Sequence, residues 1–80
     1  MENFYEKIPV QGQGILSFYF SDVSSVLSPH FWVTVKDKKG NVYLFDMRKR
    51  KGQWKIVGHS PDWITAVESQ LGEAIKSNLN

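Results

Sequence analysis

The residue types best suited to chemistry stand in the run Arg48-Lys49-Arg50-Lys51, closely followed by Trp54. Guanidinium and ammonium groups neutralise phosphates and an indole ring stacks on a base, so this pairing suits weak nucleic-acid or anion binding. The plainer reading is a solvated turn. In a sheet of successive hairpins the Lys38-Lys39 turn falls at the opposite end, so these charges do not pool with the run. Lys76 is the one further cation expected near it. Nucleic acid is therefore not the expected partner, and this site ranks second.

His30 and His59 are the two imidazoles. One begins a strand and the other follows a strand at the far end of the sheet, so they do not share a metal. Glu68 lies at the edge of an apolar helical stripe, where a half-buried carboxylate can do acid–base work. The favoured reading is that it leans outward or meets a basic or hydroxyl partner. Catalysis needs converging groups, and the chain shows no Ser–His–Asp order, nucleophile elbow or metal-ligand spacing. Gly12-Gln13-Gly14 does not precede a helix, so it is a hairpin turn rather than a phosphate loop. No enzyme activity, cofactor or metal is expected.

The elements that position these residues are organised around Phe31 to Val57. Phe31, Val33 and Val35 alternate with Trp32, Thr34 and Lys36, the period of a two-faced strand. After a turn ending at Gly40 the alternation resumes, with Tyr43, Phe45 and Met47 opposite in sense to Val42, Leu44, Asp46 and Arg48. A three-residue loop needs positive φ at its last position, which Gly40 adopts freely. That loop pairs Val35 with Tyr43, Val33 with Phe45 and Phe31 with Met47, gathering the large apolar residues on one face. For the next hairpin, a four-residue loop from Lys49 to Gly52 pairs Met47 with Trp54, Asp46 with Lys55 and Leu44 with Val57. It keeps the faces separate.

Upstream, residues 4–10 and 15–21 form a hairpin with Gly14 in the positive-φ position, Val10 opposite Leu16 and Ile8 opposite Phe18. Pro9 cannot donate to a ladder, so its strand belongs at an edge or Pro9 sits at a non-bonded position. The segment from Asp22 to Pro29 reads as a loop, with room for one helical turn or a short edge strand, that sends Val26 or Leu27 into the core. Ser60-Pro61-Asp62 starts a helix running to about residue 78: Ser60 caps, Pro61 sits at the first helical position, and Asp62 meets the positive dipole end. Ile64, Val67, Leu71 and Ile75 form its apolar stripe.

The expected fold is α+β: one domain with an antiparallel meander of about five strands, at about 4–10, 15–21, 30–37, 41–48 and 53–58. One C-terminal helix, at about 61–78, covers one face. The other face then carries Trp32, Leu44 and Val57, with Tyr19 nearby if the second and third strands are neighbours. An exposed tryptophan beside aliphatic neighbours suits an interaction hot spot. The expected function is a small non-enzymatic binding or homo-oligomerising module using this outer face, with a protein, including a second copy, as partner.

The stretches Gly40-Asn41-Val42-Tyr43-Leu44-Phe45-Asp46-Met47, Gly52-Gln53-Trp54-Lys55-Ile56 and Pro61-Asp62-Trp63-Ile64, with Glu68, Leu71 and Ala74-Ile75, resemble a group of small bacterial proteins with no assigned activity. These residues cover roughly the C-terminal half and are mostly core and turn positions. The resemblance implies a sheet with a C-terminal helix and no activity. A second similarity is to pleckstrin-homology-like domains, whose sheet is followed by a closing helix bearing a tryptophan. This chain has about two strands fewer, and Trp63 lies at the helix start, so phospholipid binding does not carry over.

Composition sets the outer limits. Eighty residues, 41% hydrophobic and 14% aromatic, suffice for one small core. No cysteine is present, which excludes disulfides and thiolate metal sites and fits a cytoplasmic location. The first residues lack a basic region followed by an apolar run, so a signal peptide is not expected. No stretch is apolar and long enough to span a membrane. A net charge of +2 is too small to indicate nucleic acid by itself.

Overall fold

Alternation along the chain becomes five antiparallel strands: β1 (Asn3–Val10), β2 (Gly14–Asp22), β3 (His30–Lys36), β4 (Val42–Arg50) and β5 (Gln53–Val57). Two helical segments follow, α1 (Asp62–Thr65) and α2 (Glu68–Asn78). The computed structural model describes residues 3–26 and 28–79. The strands lie side by side in chain order, so the fold is the expected α+β meander, with β1 and β5 at the edges. Pro9 sits on edge strand β1, where its missing N–H interrupts no inner ladder.

The central hairpin has the expected register, pairing Val35 with Tyr43, Val33 with Phe45 and Phe31 with Met47. Gly40 adopts φ 92° and donates its amide to the Asp37 carbonyl, closing the turn. The flanking hairpins differ from expectation by two residues each. In the first, Val10 pairs with Gly14 and Ile8 with Leu16, because the turn closes early, through the Gln13 amide on the Val10 carbonyl. In the last, β4 continues to Arg50, which pairs with Gln53, so only Lys51 and Gly52 remain as loop. Both have positive φ, 51° and 79°, matching the tight primed turn that follows strand twist. Met47 therefore faces Ile56, Asp46 faces Val57, and Arg48 faces Lys55. A slip of two keeps every side chain on its face, so the core assignment is unchanged.

The inner face buries Ile8, Val10, Leu16, Phe18, Phe20, Phe31, Val33, Val35, Phe45, Met47 and Trp54 against Ile64, Val67, Leu71 and Ile75. Its lower end is aromatic: Phe4 stacks on Phe20 at 4.6 Å, and Phe31 meets Phe4 and Trp54 edge-on. α2 packs on β5 and also reaches β1, the opposite edge of the sheet. The sheet therefore curls around it. Asn78 Nδ2 donates to Glu6 Oε1 at 3.4 Å across this closure.

The single long helix is interrupted at Ala66 and Val67. Val67 has φ −107° and ψ 15°, outside the helical well, yet the stripe of Ile64, Val67, Leu71 and Ile75 stays buried across the break. Pro61, rather than Ser60, takes the capping position: its carbonyl accepts the first helical bonds, from Ile64 and Thr65. The Ser60 hydroxyl instead bonds Thr65 Oγ1 at 2.9 Å. Between β2 and β3, Ser24 Oγ accepts the His30 amide, and Ser25 and Ser28 bridge. Val26 is fully exposed at the tip rather than in the core; Leu27 lies outside the described residues. No helix among the described residues is long and apolar enough to cross a membrane.

Candidate functional site: the outer sheet face

The helices occupy one side of the sheet and leave much of the other exposed, although Thr34, Asp46 and Val57 there are partly buried. Pairing across the strands places Tyr5, Tyr19, Thr34 and Leu44 in one row. The next row holds Asn3, Ser21, Trp32, Asp46 and Val57. Tyr5 is 57% exposed, Tyr19 56%, Leu44 63% and Trp32 41%, far above the buried apolar residues of the inner face. The Tyr5 and Tyr19 rings lie 5.7 Å apart, tilted by 33°, so they form one surface. Ile15 and Val42 extend the exposed apolar area toward the upper turns.

Trp32, Leu44 and Tyr19 thus share the face as expected. Val57 shares it too but is partly buried, and it neighbours Asp46 instead of Leu44 because of the tighter last hairpin. Tyr5 was not among the expected members. Its alternation with Ile8 and Val10 marks it as outward, but a first hairpin displaced by two sets it opposite Ser21 rather than Tyr19.

The basic run is divided by the strand that contains it. Arg48, Lys49 and Arg50 belong to β4, and only Lys51 lies in the turn. Arg48 and Arg50 share the outward alternation of Leu44 and Asp46, whereas Lys49, opposite Trp54, shares the helix-side alternation. Arg48 Nε donates to Asp46 Oδ2 at 3.0 Å, and His30 Nε2 lies 3.5 Å from Asp46 Oδ1. His30 also meets Trp32 edge-on. No known protein family, curated protein or solved structure matches this chain.

The polar groups on the helix side are committed to structure. Glu68 Oε2 accepts the Ile56 backbone amide at 2.8 Å, and its Oε1 lies 3.7 Å from Lys55 Nζ. The shallow cleft here, about 360 Å³, mixes Glu73 and Lys76 with this pair. Its one hydroxyl, on Ser69, bonds Gln70. Asp37, at the central turn, accepts the Lys39 and Asn41 amides at 2.9 Å, the Asn41 side chain, and the Tyr43 hydroxyl at 3.3 Å. Burial pushes its pKa up, but these bonds outweigh it and hold the carboxyl below the usual value. Burial and the Asp37 charge together raise the Tyr43 phenol. Among the described residues, no group of three His, Asp or Glu side chains is placed to hold a metal.

Proposed function

We propose that this chain is a small non-enzymatic binding module that presents the outer face of its sheet to a partner. The observation that supports this reading is the joint exposure of Tyr5, Tyr19, Trp32 and Leu44 on neighbouring strands. Isolated apolar residues on a surface are ordinary, but a contiguous aromatic and aliphatic patch marks an interaction site. Aromatic residues supply large contact area at low entropic cost, which is why they dominate binding hot spots. The polar groups opposite serve the fold: Glu68 satisfies an edge amide and Asp37 organises a turn.

Native mass spectrometry of freshly purified protein tests the reading, comparing wild type with a Tyr19→Ser/Leu44→Ser variant. Both positions are exposed, so the variant keeps its circular dichroism spectrum. Wild type is expected to carry a bound species or a second copy that the variant lacks. Identical spectra from the two proteins would contradict it.

A further inference from the structure

We propose that the outer face binds a single-stranded nucleic acid, with Tyr5, Tyr19 and Trp32 stacking on bases and Lys7, Lys36 and Arg50 meeting phosphates. This deepens the binding-module reading and rests on it.

Charge is sorted between the two sides of the molecule. Of the ten Lys and Arg residues only Lys76 lies on a helix, while Asp62, Glu68 and Glu73 are helical. At outward positions of the described strands, Lys7, Lys36, Arg48, Arg50 and Lys55 stand against one carboxylate, Asp46, although the Lys55 ammonium turns to Glu68 on the helix side, 3.7 Å away. Arg48 neutralises that carboxylate directly at 3.0 Å. Glu6 and Asp22 share the inner alternation. The +2 net charge thus conceals a basic, aromatic sheet face and an acidic helix side.

The cations also frame the rings. Lys7 is the next outward residue after Tyr5 on β1, and Lys36 the next after Thr34 on β3, each one row, about 7 Å, beyond the tyrosines. On the other side the row beyond Trp32 and Val57 holds Arg48 and Lys55, paired with Asp46 and Glu68, and the next outward residue of β4, Arg50, supplies the cation at that margin. A strand laid across this sheet finds rings beneath its bases and ammonium or guanidinium groups at both margins. Such a platform is tolerant of sequence, because every base has a π-face. The turn-to-turn separation of Lys38-Lys39 from Arg48–Lys51, which counts against one basic patch, does not apply: the strands themselves carry these cations. A second copy is a poorer occupant, since two facing sheets oppose cations to cations, and Asp46, the carboxylate at the outward positions of the described strands, is already paired with Arg48.

Fluorescence anisotropy with labelled oligothymidine and oligouridine of about twelve nucleotides tests this, a length within the roughly 4–16 covered by a single such platform. Micromolar or tighter binding at low salt is expected, weakening as salt rises and exceeding the affinity for a duplex of equal length. Tyr19→Ala and Trp32→Ala should each weaken binding about tenfold. Lys7→Gln and Lys36→Gln should each reduce the salt slope by about 0.7. Lys76→Gln, on the helix side, should change neither. No binding, equal affinity for duplex, or ring variants that bind like wild type would overturn the proposal. Vesicles containing phosphatidylglycerol and sedimentation velocity complete the test. Vesicle binding or dimerisation that depends on Tyr19, without oligonucleotide binding, would overturn the nucleic-acid assignment and leave the binding module standing. Failure of all three would remove both.

Discussion

The Glu68 carboxylate on α2 accepts the backbone amide of Ile56 on β5 at 2.8 Å. β5 is an edge strand, so this amide has no further strand to bond. A helix side chain thus occupies a position where another chain could pair, one of the ways sheets protect their edges. The same bond ties α2 to β5.

Glu68→Ala should lower the unfolding free energy by about 1–3 kcal/mol, the cost of leaving a partly buried donor unpaired. Glu68→Gln keeps an acceptor and should lose less. Urea unfolding followed by circular dichroism reads both. An alanine variant with the wild-type midpoint would show that the bond contributes nothing in solution.

Trp54 is buried between Phe31, which it meets edge-on at 5.4 Å, and α2. Trp54→Ala should cost about 3–5 kcal/mol through the cavity left by the indole. A melting temperature within a few degrees of wild type would contradict its place in the core.

Gly72 lies in the middle of α2, where a Cβ would meet the Trp54 Cβ at 3.4 Å, an ordinary contact. Glycine costs a helix interior about 1 kcal/mol relative to alanine. Gly72→Ala should therefore raise the melting temperature. A fall would show that α2 and Trp54 cannot move apart even slightly.

The place of Trp54 and the rest of the inner face was legible in the sequence because it depends on alternation, which survives register errors of two. The sequence offered Glu68 a basic partner, which Lys55 is, but no sign of its bond to a backbone amide. Phe31, Val33 and Val35 could face only one way once Gly40 closed the central turn. The neighbouring turns were harder to read. Lys51 adopts φ 51°, a conformation uncommon for a residue with a side chain, so a longer loop was the natural expectation. Gly12 and Gly14 both have positive φ, and neither marks the closing position unambiguously. The candidate face suffered most, since membership of a row depends on register: Tyr5 joined Tyr19, and Asp46 replaced Leu44 beside Val57. The break at Val67 leaves the apolar stripe intact, so periodicity carried no sign of it.

Asp37 makes stability depend on pH. Its folded pKa is depressed below the unfolded value of 3.8. It therefore stabilises the fold above the unfolded pKa, and this contribution is lost as pH falls through the folded pKa. Asp37→Ala should melt lower than wild type at neutral pH, with the difference shrinking in acid. Thermal melts between about pH 2 and 6 check this. A gap that stays constant with pH would assign the role of Asp37 to packing alone.

The central claim, that the outer sheet face is the binding surface and takes single strands, is tested most directly by titrating ¹⁵N-labelled protein with oligothymidine. Amide resonances of Tyr5, Tyr19, Trp32 and Lys36, and the Trp32 indole signal, should shift together and saturably, while Glu68 and Glu73 stay in place. Shifts confined to the helix side or to the Lys51-Gly52 turn, or none at all, would contradict it.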